Sequence, residues 1–242
     1  MSIALSADSG LSETLAGLLR SRSTSNPALN ALIDDYAMEH RVVAVLAIGF
    51  ALVATAACIV FFGKSRRAPR AAGGRPTAER RAYRGFAVLS AIVGLSMTVI
   101  AAANVTNALR PRAGFEGTIA MVGTPREGTH RAALHQAFVS WLRSGTTTKP
   151  TIIQSAIDRR LGWQLPKAIV CTVLLLVLVA TSVRVWNIRI QRSRAPRNQP
   201  SSVLRLRVIG YAAVSGALLL PLMVLGNSAA SFAPLNLTML FG

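Results

Sequence analysis

Acidic residues are scarce in this sequence: nine Asp and Glu stand against 27 Lys and Arg in 242 residues. So few carboxylates leave little material for paired acid–base chemistry or for oxygen-ligand cation cages. Cysteine is nearly absent. Cys58 and Cys171 both fall inside apolar runs, which excludes a disulfide framework and any Cys/His zinc spacing. Of the three histidines, His130 and His135 are five apart, about 140° around a helix, a poor geometry for sharing a metal. There is no phosphate-cradling glycine loop, His-Glu metal motif or Gly-x-Ser-x-Gly elbow. The first 41 residues lack the basic-then-apolar opening of a cleavable signal peptide.

What is abundant is apolar sequence. Hydrophobic residues make up 52% of the chain, and its mean hydropathy is +0.44. Ala168 to Val183 contains no charge and is followed by Arg184, Arg189, Arg192, Arg194 and Arg197. Three similar runs cover 42–62, 86–108 and 208–226. Each is about 20 residues, long enough to cross roughly 30 Å of hydrocarbon as a helix. The fold expected is an all-α membrane protein with four transmembrane helices. No acid or base lies mid-span, where pumps and proton-coupled carriers usually need one. Span residues such as Thr55, Ser90, Thr172 and Ser215 are therefore read as packing groups.

Five regions follow. Residues 1–41 form amphipathic helices: Leu11, Leu15, Leu18 and Leu19 share one face, and a second short helix is expected over 28–40. Residues 42–108 form a transmembrane hairpin with a basic loop at 63–85. Residues 109–166 form a long polar segment, turn-rich through Thr129 and then amphipathic along Leu134, Phe138, Trp141 and Leu142. Residues 167–227 form a second hairpin with a basic loop at 187–207, and 228–242 an apolar tail.

The halves echo each other. At a shift of 123, Leu11, Leu15, Leu18, Leu19 and Arg20 fall on Leu134, Phe138, Trp141, Leu142 and Arg143, Thr24 falls on Thr147, and Pro27 falls on Pro150. Leu52 to Thr55 repeats as Leu178 to Thr181, and Arg67 to Arg70 as Arg194 to Arg197. Asn104 and Pro111 match Asn227 and Pro234. We expect two tandem parallel repeats, each a set of short extracytoplasmic amphipathic helices followed by a hairpin of spans.

The two basic loops hold 14 of the 27 basic residues and one acid, Glu79. By the positive-inside tendency they face the cytoplasm, on anionic lipid headgroups, which puts both termini outside the plasma (inner) membrane. This placement accounts for the net charge of +18 without nucleic acid as a partner.

Two groups of residues stand out. Asn104 and Asn227, near the outer ends of equivalent spans, are a candidate polar or structural pair. Leu15, Leu18, Phe138 and Trp141 are a candidate interaction face, with the two amphipathic helices packing on each other or on a partner. Asp34, Asp35 and Asp158, with Arg159 and Arg160 nearby, suggest salt bridges. No cofactor or metal is expected, and no catalytic residue.

The Ala/Arg-rich texture, and Lys167-Ala168-Ile169-Val170-Cys171 leading into the third span, resemble uncharacterised four-helix membrane proteins of the actinobacterial type, some of them prophage-carried. The resemblance covers mainly the spans and implies no activity and no site residues. The function expected is a non-enzymatic membrane scaffold or accessory subunit, with a protein partner or a homo-oligomer. The alternative is a membrane effector that permeabilises or blocks the membrane, as in phage exclusion; a small transporter is the weaker third.

Overall fold

A computed structural model describes residues 10–21, 25–70, 76–194 and 201–242. Side chains from 192 to 207, and that of Tyr211, are left undescribed. The repeat positions Thr24, Ala195, Pro196 and Arg197 and part of both basic loops lie outside the described residues.

Among the described residues the structure is helical, with one isolated antiparallel bridge between Arg70 and Pro76. The helices are α1 (Leu11–Arg20), α2 (Pro27–Arg67), α3 (Ala78–Leu109), α4 (Pro111–Ile119), α5 (His130–Ser144), α6 (Thr151–Arg194), α7 (Ser201–Phe232) and α8 (Pro234–Phe241). Four of them, α2, α3, α6 and α7, are long and apolar enough to cross a membrane.

Several expected boundaries are corrected. The short helix over 28–40 and the first span are one helix, α2. Between Pro27 and Gly63 the sequence offers no proline and only Gly49 as a weak point, and a single charge such as Arg41 does not stop a helix. Likewise α6 runs through Pro166; a proline costs one backbone hydrogen bond and favours a kink but does not forbid continuation. The basic loops are shorter than expected, because α2 extends to Arg67, α3 starts at Ala78 and α6 extends to Arg194. The turn-rich stretch after 109 opens as α4, and the apolar tail contains α8. Both begin with proline at the first helical position, where its missing N–H costs nothing and its φ is already helical.

The chain divides into two compact units. One is assembled from three separate segments, Met1–Val43, Ala103–Pro166 and Asn227–Gly242; the other contains Ala44–Ala102 and Lys167–Gly226.

The three-segment unit has a dense apolar core. Leu11 and Leu15 of α1, Leu29, Leu32 and Tyr36 of α2, Phe115 of α4, Leu134, Phe138, Trp141 and Leu142 of α5, Ile153 and Ile157 of α6, and Leu235 and Met239 of α8 are all buried in one cluster. Its helix ends are closed by named groups. The Asn26 carboxamide accepts the Leu29 N–H at 3.0 Å and donates to the Leu142 carbonyl at 2.7 Å. One side chain thus caps the start of α2 and satisfies a carbonyl near the end of α5. The Thr129 hydroxyl caps α5 through the Ala132 N–H. Gly145 ends it in the left-handed conformation, φ 61°, which glycine adopts without steric cost.

The apolar-helix unit is packed differently. Large apolar side chains such as Leu52, Val53, Leu95, Ile169 and Leu176 are exposed, the reverse of a water-soluble surface and as expected of helices solvated by lipid. Contacts within the unit include a small buried cluster of Cys171, Leu175 and Val224, and others involve small residues and aromatics. Gly94 lies beside Ala54 and Thr55, and Gly216 beside Leu178, so the helices approach closely where a side chain is missing. The Phe86 ring meets Trp186 edge-on at 4.9 Å and Phe61 at 5.3 Å, and the Arg189 guanidinium lies 4.2 Å over the Trp186 ring. Cys58 and Cys171 are free thiols.

Candidate functional site

The polar residues that converge belong to the three-segment unit and lie on the third and fourth turns of α2, the end of α3, and α4 and α8. On α2 the spacing of Asp35, Tyr36, Glu39 and His40 places them on adjoining faces over little more than one turn. Asp35 and Glu39 both meet Asn236 of α8, and His40 meets Asn104 of α3. The Asp35 carboxylate accepts the Asn236 backbone N–H at 2.8 Å. It acts as the missing N-cap of α8, whose own N-cap residue, Ala233, supplies no side-chain hydrogen bond. A carboxylate there also meets the positive end of the helix dipole.

Glu39 accepts from the Asn236 carboxamide nitrogen at 3.5 Å, the outer limit for such a bond. The same Asn236 is 2% exposed, and its Oδ1 has no partner. His40 Nδ1 lies 2.6 Å from Asn104 Oδ1. An amide oxygen only accepts, so Nδ1 is the protonated nitrogen and Nε2 is the acceptor of the neutral ring. The Tyr36 ring packs edge-on against His40 at 4.2 Å and Phe115 at 6.0 Å.

Gly114 is fixed by this arrangement. A Cβ at this position would lie 2.5 Å from the Tyr36 hydroxyl oxygen and 2.9 Å from its ring. Tyr36 is buried and wedged between His40 and Phe115, so it cannot swing away freely. Gly114→Val is expected to destabilise the unit by about 1–3 kcal/mol, the usual cost of overpacking. Thermal unfolding of detergent-solubilised protein checks this; an unchanged midpoint would show that the contact between α2 and α4 is not tight.

The residues singled out in the sequence fall as follows. Asn104 faces His40, a partner that sequence spacing did not suggest. For Asn227 the structure shows its backbone carbonyl accepting from the Ser231 hydroxyl at 2.8 Å. Leu15, Phe138 and Trp141 are buried in the common core, with Leu18 packed against it, and α1 lies on α5 and α4. Leu15, Phe138 and Trp141 are thus enclosed within the chain, while Leu18 stays partly exposed. Among the described residues the structure gives two of the acidic positions other partners than the anticipated salt bridges: Asp35 caps α8, and Asp158 accepts from Gln154 at 2.9 Å, a pair one turn apart on α6. Sequence reasoning missed Glu39, His40 and Asn236 as a group because their chain separation hides the contact. Among the described residues no three His, Cys, Asp or Glu side chains gather as metal ligands.

His135, buried on α5 with Nε2 unpartnered, adds a pH response. Burial, and then the nearby Arg131 charge, hold it below its usual 6.5, against a backbone hydrogen bond at Met239 that favours protonation. The unfolded chain therefore takes up this proton before the folded one does. The His135 contribution is constant above about pH 6.5 and is lost as the pH falls below it. Asp35 and Glu39, whose pKa values burial raises, act in the opposite sense, so the prediction concerns the difference between proteins: His135→Leu should lose less stability to urea than the wild type on going from pH 7.5 to pH 5.5. An identical pH difference in the two proteins would remove His135 as its source.

No protein-family model matches this chain, and neither the curated proteins nor the solved structures provide a significant match.

Proposed function

We propose that the chain is a non-enzymatic scaffold or accessory subunit of the plasma membrane, with the three-segment unit outside the cytoplasm as its working part. The observation that supports this most is the construction of that unit. Three stretches far apart in sequence share one buried core, closed by long-range hydrogen bonds at Asn26 and Asp35. None of that ordering is needed to insert four apolar helices, which a bilayer stabilises individually.

A tandem duplication fits the order of elements. A short amphipathic helix, a long helix of 41 or 44 residues, a helix of 32, and a proline-initiated helix of nine or eight occur twice in succession. With two spans per repeat, both repeats take the same orientation, and the arginine-rich segments rest on anionic headgroups at the cytoplasmic face. Both termini are then extracytoplasmic.

The test is isolation of the tagged full chain from its native membrane in mild detergent after brief cross-linking. One partner, or a second copy of the chain, should co-purify in fixed ratio. Recovery of the chain alone, with loss of membrane potential on expression, would replace the scaffold by a membrane-permeabilising effector.

A further inference from the structure

A cavity of about 500 Å³ in the three-segment unit is lined by the polar residues Tyr36, Glu39, His40, Asn107, Thr118 and Asn236 and by apolar ones such as Met121, Leu237 and Leu240. The hydroxyls and carboxamides can donate as well as accept, but three of the polar residues offer acceptor atoms. Glu39 offers a carboxylate whose one hydrogen bond is long. Asn236 Oδ1 is buried without a partner, a state that costs free energy unless something donates to it. His40 is committed at Nδ1 to Asn104, which leaves Nε2 with a lone pair in the neutral ring.

No lysine or arginine lines this cavity among the described residues, so no lysine or arginine in its wall draws an anionic guest toward Glu39. A metal ion is poorly suited, because the described residues offer no three-carboxylate or histidine set.

We propose that this cavity binds a primary ammonium group carried on a short apolar chain. Three N–H donors on one nitrogen match the carboxylate, the orphaned amide oxygen and the imidazole, and the apolar wall takes the chain. The inference does not depend on the scaffold reading. Two sources share this chemistry, a free amine and the ethanolamine headgroup of a lipid.

The experiment is calorimetric titration of the full chain in phosphatidylcholine nanodiscs with n-butylammonium, against empty-disc blanks. The controls are 1-butanol, which lacks the charge, and tetramethylammonium, which lacks the N–H donors. Saturable binding of butylammonium is expected, with both controls at least about tenfold weaker. Glu39→Gln should lose a similar factor, while Asp158→Asn, which lies outside the cavity, should not.

Gly117→Leu provides a second variant. Gly117 lines the cavity and a Cβ there meets nothing within 4 Å, so a side chain added at this position should obstruct the cavity and weaken binding even if Glu39→Gln folds poorly. Absent saturable binding, equal binding of butanol, or unchanged binding in both variants would overturn the proposal. Repeating the titration in discs containing phosphatidylethanolamine separates the sources. Competition marks the lipid headgroup and unchanged affinity marks a free amine, and either result upholds an ammonium site.

Discussion

Replacing Trp141 by aspartate is expected to unfold the three-segment unit while the four apolar helices remain inserted. Trp141 is 2% exposed, meets Phe138 at a ring separation of 6.2 Å, and donates from Nε1 to the Thr146 carbonyl at 2.9 Å. Truncating a buried tryptophan costs about 3–5 kcal/mol, and placing a carboxylate in the remaining hole adds the cost of burying an unpaired charge. Domains of ordinary size have only about 5–15 kcal/mol of stability in total, so this one change consumes most of it. Trp141→Phe keeps most of the packing and loses the Nε1 bond, so its cost should be nearer 1–2 kcal/mol. Limited proteolysis in membrane vesicles checks both: cleavage between α4 and α5 should rise sharply in the aspartate variant and little in the phenylalanine one. Equal cleavage of wild type and Trp141→Asp would show that the tryptophan holds nothing together.

The second large effect is expected at Asp35. Its carboxylate caps α8, whose own N-cap residue Ala233 gives no side-chain bond, and α8 brings Leu235, Met239 and Leu240 into the core. Asp35→Ala removes the cap and leaves the Asn236 N–H buried without an acceptor, at a cost of about 1–3 kcal/mol. Asp35→Asn keeps a neutral acceptor and should cost less. Because the loss is local, hydrogen exchange reports it best. Amides at 235–241 should exchange faster in Asp35→Ala while those of α5 change little. Unaltered protection of α8 would mean that its apolar contacts alone hold it.

Much of this architecture is legible in the sequence, for physical reasons that also mark where legibility ends. A hydrocarbon-crossing helix announces itself by length and absence of charge, as Ala168 to Val183 does. An amphipathic helix announces itself by period, as Leu134, Phe138, Trp141 and Leu142 do. Helix continuity is harder to read. The expected short helix ending at His40 and the expected start of the third span after 166 are not ends at all: α2 runs on through Arg41 and α6 through Pro166, because a local loss of helix propensity does not outweigh the tertiary packing on either side. Glycine misled in α4, where Gly114 serves as the space into which Tyr36 fits and does not mark a turn.

The candidate site was the least legible part. Asp35 and Asn236 are 201 positions apart, and His40 and Asn104 are 64 apart. Neither pair has a periodicity that would link them, and their contact exists only because α2, α3, α4 and α8 share one unit. The apolar stripe of Leu15, Leu18, Phe138 and Trp141 was visible, but sequence alone left open whether it faced a partner or its own counterpart, since both bury the same side chains.

The central claim is that the basic segments face the cytoplasm and the three-segment unit faces outward, and substituted-cysteine labelling of intact cells tests it most directly. With Cys58 and Cys171 replaced by serine, Ala120→Cys and Thr77→Cys are made separately and exposed to a membrane-impermeant maleimide. Ala120 is exposed at the end of α4 and Thr77 stands at the start of α3. Labelling of position 120 in intact cells, with position 77 labelled only after permeabilisation, is the predicted result; labelling of position 77 in intact cells would contradict it.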